Sequence, residues 1–246
     1  MILINQMVLD VNQFEGTNLS REQIRTLQLM ERYSGTYYYH ALSQLKFELD
    51  LRQQTIQASY LLNQSGADFA TFETSKCNER YWILTRRGGF RLRPGVLPHT
   101  AINDIFYNGR LYAFECALAM VLTFYKAVLE EIGPMQFNYL FPRIYLFSWE
   151  FDQDLGLRGH LGTDYLPGDC VYFQNPDFHP NTPEWNGLNA ILLNGDLYFG
   201  HGFGIGSADE IIAALNSQRS PYATRSAFLN NLITRPNFHY LSQFAR

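Results

Sequence analysis

Two side chains hold most of the reactive potential of this 246-residue chain, Cys116 and His201. Cys116 lies in Phe114-Glu115-Cys116-Ala117-Leu118, at the head of an apolar run that predicts a helix from about Tyr112 to Glu131. Unpaired N–H groups and the macrodipole at a helix N-terminus favour a thiolate, and the same N–H groups can hold an oxyanion. A lone cysteine is also commonly a small buried hydrophobe, and position alone leaves both readings open. Cys77, in a loop, and Cys170, in a strand, gain no such support.

A thiolate that must later deliver a proton needs a base within hydrogen-bond reach, normally histidine. Of the six histidines, His201 stands in a strand-like segment, Tyr198-Phe199-Gly200-His201-Gly202. Its flanking glycines let a substrate backbone come close. His40, His99, His160, His179 and His239 fall in helix starts, loops or the tail, where solvated or capping roles are expected.

Asn194-Gly195 is the strongest hairpin signal in the chain, because Asn-Gly suits a two-residue turn. That register sets Leu193 opposite Asp196, Ala190 opposite Phe199 and Leu188 opposite His201, with cross-strand Cβ atoms roughly 4.5–5.5 Å apart. In a working triad the neighbour of the histidine is a carboxylate or amide that holds the imidazole in one tautomer. At position 188 it is leucine.

The elements around these residues read as α+β. Ser20-Arg21-Glu22-Gln23 opens a helix ending near Ser34-Gly35, and Leu42, Leu45, Leu49, Ile56 and Tyr60 recur at helical spacing until Gly66. Strands are expected at 69–74, 81–85, 143–149, 170–174, 190–193 and 197–200, with a turn at Arg87-Gly88-Gly89. Short helices are expected at 101–107 and 209–218, and a loop-rich span at 151–168. The Cys116 helix stops at Gly133-Pro134; apolar on nearly all sides, it should run through the middle of one domain spanning 1–246, against an antiparallel sheet.

Composition narrows the function classes. A net charge of −4 without a long Lys/Arg run excludes phosphate tracking, so no nucleic-acid partner is expected. The run from Leu111 to Leu129 is interrupted by Glu115 and Lys126, so no membrane span is expected. The N-terminus lacks a secretory pattern, which places synthesis on the cytoplasmic side. Three cysteines without CxxC spacing argue against a disulfide framework or zinc, and no HExxH or EF-hand pattern occurs, so neither metal nor cofactor is expected. Lysine occurs only at positions 46, 76 and 126. Compositional drift accounts for that, although an enzyme that links lysines would also gain from carrying few of them.

Several segments together resemble the calcium-independent protein-glutamine gamma-glutamyltransferases of spore formers, which cross-link spore-coat proteins. They are Phe47-Glu-Leu-Asp-Leu-Arg, Ser65-Gly-Ala-Asp-Phe-Ala-Thr-Phe, Tyr112-Ala-Phe-Glu-Cys-Ala, Leu166-Pro-Gly-Asp-Cys-Val-Tyr-Phe-Gln-Asn-Pro and Tyr198-Phe-Gly-His-Gly-Phe-Gly-Ile. The resemblance implies a single-domain, monomeric enzyme with an NlpC/P60-like cysteine-peptidase core, made in the mother cell and acting in the spore coat. It implies Cys116 as nucleophile, His201 as base, Glu115 as a partial stand-in for the third group, and Phe69, Trp149 and Trp185 as walls of an aromatic tunnel. The family's third residue is a glutamate in Trp-x-Gly-Glu-Asn, where this chain has Trp185-Asn-Gly-Leu188-Asn. Leu188 therefore implies reduced activity unless Glu115, Glu184 or Asn189 orients His201. The implied substrates are glutamine and lysine side chains of coat proteins. Two other classes stay open: a cysteine peptidase or amidase of the NlpC/P60 kind, and a coat protein that has lost catalysis.

Overall fold

The computed structural model, which describes residues 1–14 and 19–245, begins with β1 (Ile2–Ile4) and β2 (Met7–Val8). Helix α1 (Arg21–Arg32) starts where the sequence directs it. The Ser20 hydroxyl accepts from the Gln23 N–H, and the Gln23 side chain accepts from the Ser20 N–H, so the cap is reciprocal. β3 (Tyr37–Tyr39) pairs in parallel with β1 to complete a small sheet. Helix α2 (Leu42–Gln64) buries Leu45, Leu49 and Ile56, while Leu42 stays exposed. It ends ahead of Gly66, whose φ of +80° glycine adopts without a Cβ penalty.

The next strands are shorter than expected. β4 (Asp68–Phe69) covers two residues, and β5 (Trp82–Leu84) and β6 (Phe90–Leu92) flank the anticipated turn, with Gly88 at φ +84°. Helix α3 (Pro98–Tyr107) leads to β7 (Ala113–Phe114), which pairs in parallel with β4. That pairing holds residues 113–114 extended, which is why α4 (Cys116–Leu140) starts at the cysteine rather than near Tyr112. Gly133 (φ +81°) and Pro134 break α4 where expected, and helical turns resume beyond the break. From Ala117 to Leu129 every residue of α4 is buried, so this helix is the axis of the main core, against α2 and α3. β8 (Tyr145–Leu146) then joins β6.

The C-terminal part is a six-stranded sheet of β9 (Arg158–Leu161), β10 (Cys170–Gln174), β11 (Gly187–Leu192), β12 (Leu197–Gly200), β13 (Gly204–Ser207) and β14 (Phe228–Arg235). Its order is β13-β12-β11-β10-β14-β9, and all neighbours run antiparallel. Strand alternation separates two apolar faces. Cys170, Ile191 and Phe199 join the α4 core, whereas Val171, Ala190, Leu192 and Tyr198 pack with Ile211 and Leu215 of α5 (Ala208–Ser217). This is the expected α+β arrangement. The longest strand, β14, was not anticipated, and its burial does not alternate cleanly.

The hairpin register differs from expectation by one residue. The Leu193 N–H donates to the Leu197 carbonyl at 2.8 Å, so the loop holds three residues, Asn194 to Asp196, with Gly195 at φ +66°. Ala190 therefore faces Gly200 and Ile191 faces Phe199. Continuing the count puts Asn189, not Leu188, opposite His201. A one-residue slip moves every side chain to the other face, and here it decides which residue of β11 looks toward α4.

A buried ionic cluster fixes this sheet to α2. Arg52 pairs with Glu48 at 2.9 Å and with Asp169 at 2.7 Å, and Arg235 of β14 pairs with Asp169 and Asp164 at 2.7 and 2.9 Å. Asp169 is fully buried just ahead of β10, so two guanidinium groups compensate its desolvation. Among the described residues no helix is long and apolar enough to cross a membrane, and no group of three or more His, Cys, Asp or Glu could hold a metal ion.

Candidate active site

Cys116 is the first residue of α4 and Glu115 is its N-cap. The Glu115 carboxylate accepts from the Ala117 N–H at 2.6 Å and from the Leu118 N–H at 2.8 Å. Its negative charge at the positive end of the helix dipole stabilises the helix start. Burial holds the Glu115 carboxyl above the ordinary carboxylate range, against the lowering effect of those two N–H groups and of the Cys116 thiol beside it.

Helix position alone suggests a favoured thiolate at Cys116. Instead burial, followed by the charge of Glu115, pushes the thiol up, and the Asn189 amide groups and the cysteine's own N–H only partly offset this. Burial thus favours the thiol over the thiolate at Cys116, and the hydrogen bond the sulfur receives comes from the Asn189 side chain.

His201 follows the last residue of β12 and lies in the turn toward β13, 5% exposed. Its ring stacks on Phe114 with centroids 4.7 Å apart and planes at 20°, and Phe69 leans on it at 6.3 Å. Nε2 lies 3.1 Å from the Asp68 carbonyl oxygen, and the backbone of Phe114 is its other polar neighbour. Desolvation lowers its pKa, so the ring is neutral near pH 7. The structure thus brings His201 and Cys116 to one cavity, but the imidazole is hydrogen-bonded to β4 rather than to the sulfur.

The two residues at the family's acidic segment face opposite ways. The Asn189 Nδ2 donates toward the Cys116 Sγ at 3.8 Å. Leu188 belongs to the α5-side cluster and packs over Gly200, its Cδ2 only 2.6 Å from where a Cβ on Gly200 would stand. It still lines the cavity that holds His201 and Cys116. Leu188 therefore offers His201 no acceptor.

Two cavities meet at Cys116. The larger, about 810 Å³, has Phe69 and Trp149 among its walls and runs under β10, β14 and β9. The smaller, about 250 Å³, is bounded by Trp185, Phe203, Leu188 and α5. Phe69, Glu184 and Gly187 line both, so each aromatic residue singled out in the sequence does border the cysteine's surroundings. Glu73, Glu115 and Glu184 line the larger cavity and, among the described residues, no Lys or Arg does, a lining that favours an entering ammonium group. The Asn189 contact and the α5 and β14 walls were not read from the sequence. Only counting the loop at Gly195 as three residues would have placed Asn189 on the α4 face.

With this geometry in place, comparison with known proteins is specific. The model of a family described as "Protein-glutamine gamma-glutamyltransferase" matches residues 1–245. Proteins of that name from Bacillus cereus (strain G9842) and Bacillus anthracis are each 43% identical over 248 aligned residues, covering 100% of this chain and 89% of each relative. One from Bacillus mycoides is 42% identical with the same coverage. Among solved structures, a transglutaminase from Geobacillus stearothermophilus without its C-terminal extension superposes with a TM-score of 0.81 at 56% identity, covering 83% of this chain and 98% of that one. The chain belongs to the protein-glutamine gamma-glutamyltransferase family.

Proposed function

We propose that this chain is a transglutaminase that joins a protein glutamine to a protein lysine through a thioester on Cys116. One observation carries the reading: a cysteine heads a buried helix, the carboxylate that caps the helix lines a cavity with it, and open cavities lie on two sides of it. The Cys116 sulfur attacks the γ-carboxamide carbon as its proton passes to Glu115. Ammonia leaves carrying a proton, and the acyl group stays on sulfur. A lysine amine then attacks the thioester carbon and loses a proton, and the thiol is restored with the isopeptide bond formed. Each step conserves atoms, and no metal or cofactor is called for.

Glu115 is the proton carrier in this account, because it precedes the cysteine and lines the larger cavity with it, while the His201 Nε2 is hydrogen-bonded to the Asp68 carbonyl. With Nε2 engaged, Nδ1 is the ring nitrogen left for proton transfer, and Leu188 offers the imidazole no further acceptor. Turnover is accordingly low relative to an enzyme with glutamate at 188. The acidic larger cavity receives the lysine and the smaller apolar one lies beside the acyl group. Phe69, Trp149 and Trp185 limit water near the thioester, which favours aminolysis over hydrolysis.

The finer setting rests on the sequence resemblance: a monomeric, calcium-independent enzyme, made in the mother-cell cytoplasm and acting on spore-coat proteins. The test is incorporation of a primary-amine probe into a glutamine-bearing protein, with and without a calcium chelator. Incorporation that needs Cys116 and survives chelation supports the reading. Release of ammonia without incorporation supports an amidase instead.

A further inference from the structure

Helix α4 begins at the nucleophile, yet its first turn is already largely engaged. The N–H groups of Ala117 and Leu118 donate to the Glu115 carboxylate, and that of Ala119 donates to the Glu115 carbonyl at 3.2 Å. The first turn of a helix is the usual source of spare donors for a developing oxyanion. Of that first turn, this leaves the N–H of Cys116 itself. A carboxamide attacked by Sγ would develop negative oxygen with one helical donor at hand.

The missing donor comes from the sheet. The Asn189 Nδ2 donates toward Sγ at 3.8 Å. The contact with sulfur is the only hydrogen bond of the Asn189 side chain among the described residues, so this amide does not brace the fold. It lines the larger cavity on which Cys116 opens, where an acyl group joined to sulfur would lie. Strand alternation sets its neighbours apart: Leu188 and Ala190 pack with α5, and Asn189 alone turns a donor to the cysteine.

We infer that Asn189 is a catalytic residue, whose side-chain amide donates to the sulfur in the thiolate and then to the acyl oxygen in the tetrahedral intermediate. This rests on the transglutaminase reading. As the S–C bond forms, the carbonyl π electrons move onto oxygen, and Asn189 with the Cys116 N–H holds that charge. As the C–N bond breaks, the electron pair returns to the carbonyl and ammonia departs with the proton carried by Glu115. Asn189 neither gains nor loses a proton.

The test uses the full chain with Asn189→Ala and the isosteric Asn189→Asp, each checked by thermal unfolding. Amine incorporation gives kcat and KM, and iodoacetamide labelling across pH gives the titration of Cys116. Removing one oxyanion donor typically costs about 10²–10³ in kcat. The expected result is a loss of that size in both variants, KM within about threefold of the parent, and a labelling profile displaced to higher pH. Should Asn189→Ala not fold, Asn189→Asp carries the test alone. A kcat within about threefold of the parent in a folded variant overturns the inference, as does an effect confined to a rise in KM. If the parent forms no isopeptide the transglutaminase reading fails by itself. The labelling profile then decides separately whether Asn189 acts on the sulfur: displacement upholds that contact, and an unmoved profile overturns it.

Discussion

Leu188 lies across Gly200, its Cδ2 pressed to within 2.6 Å of the place a Cβ there would occupy. The residue that could hold His201 by a carboxylate instead fills space on the α5 side of the sheet, and the imidazole is hydrogen-bonded to the Asp68 carbonyl. Leu188→Glu restores a charged acceptor to the cavity that Cys116 and His201 share. Loss of the orienting acid costs about 10⁴ in the serine-protease template, so restoring it here should raise kcat for amine incorporation at least about tenfold. Equal rates for parent and variant would remove Leu188 from the account.

Glu115 caps α4 and, in the proposed reaction, carries the thiol proton. Glu115→Gln keeps an acceptor for one helix N–H, so stability should fall by about 1 kcal/mol or less, while kcat falls by about 10²-fold or more. The pH dependence has a definite sign. Burial raises the folded-state pKa of Glu115, so its contribution to stability is fully present below the unfolded value, about 4.3, and is lost as pH rises through the folded value. Ionised Glu115, the form that accepts a proton, predominates above that same raised value. The acid limb of kcat/KM should therefore lie above the ordinary carboxylate range in the parent and vanish in Glu115→Gln. A limb that persists unchanged in the variant contradicts the assignment.

Phe69 is 40% exposed, lines both cavities and rests against Gly202, whose φ is +86°. Truncating it opens the thioester to water without touching the core. Phe69→Ala should raise the ratio of hydrolysed to amine-coupled glutamine several-fold, scored as ammonia released against amine incorporated. An unchanged ratio would show that this ring does not exclude water.

Asp169 draws together Arg52 and Arg235 where α2, β10 and β14 meet. Removing its charge leaves two guanidinium groups facing each other, Arg52 fully buried. Breaking one member of such a buried set costs about 3–5 kcal/mol, so Asp169→Asn should lower the denaturant midpoint sharply. A loss below about 1 kcal/mol would mean that the cluster is largely hydrated or redundant.

Much of the site was legible in the sequence because its elements announce themselves locally. The Ser20 cap, the Gly66 stop, the Gly133-Pro134 break and the apolar length of α4 each follow from short-range chemistry, and α4 places Cys116 at its head. Non-local geometry was not legible. Whether Gly195 belongs to a two- or three-residue loop depends on strand pairing as a whole, and that single residue shifts the position counted opposite His201 from Leu188 to Asn189. Likewise the helix N-terminus suggests a favoured thiolate, but burial and Glu115 outweigh it, and neither is visible until the chain is packed.

The central claim is that Cys116 carries an acyl group from a glutamine to an amine. Its most direct measurement is mass spectrometry of peptides from a glutamine-bearing and a lysine-bearing protein incubated with the parent chain and with Cys116→Ala. The account predicts ε-(γ-glutamyl)lysine-linked peptides, each lacking one ammonia, with the parent and none with the variant. Linked peptides at equal yield with Cys116→Ala, or glutamate at the reactive glutamine without linkage, would contradict it.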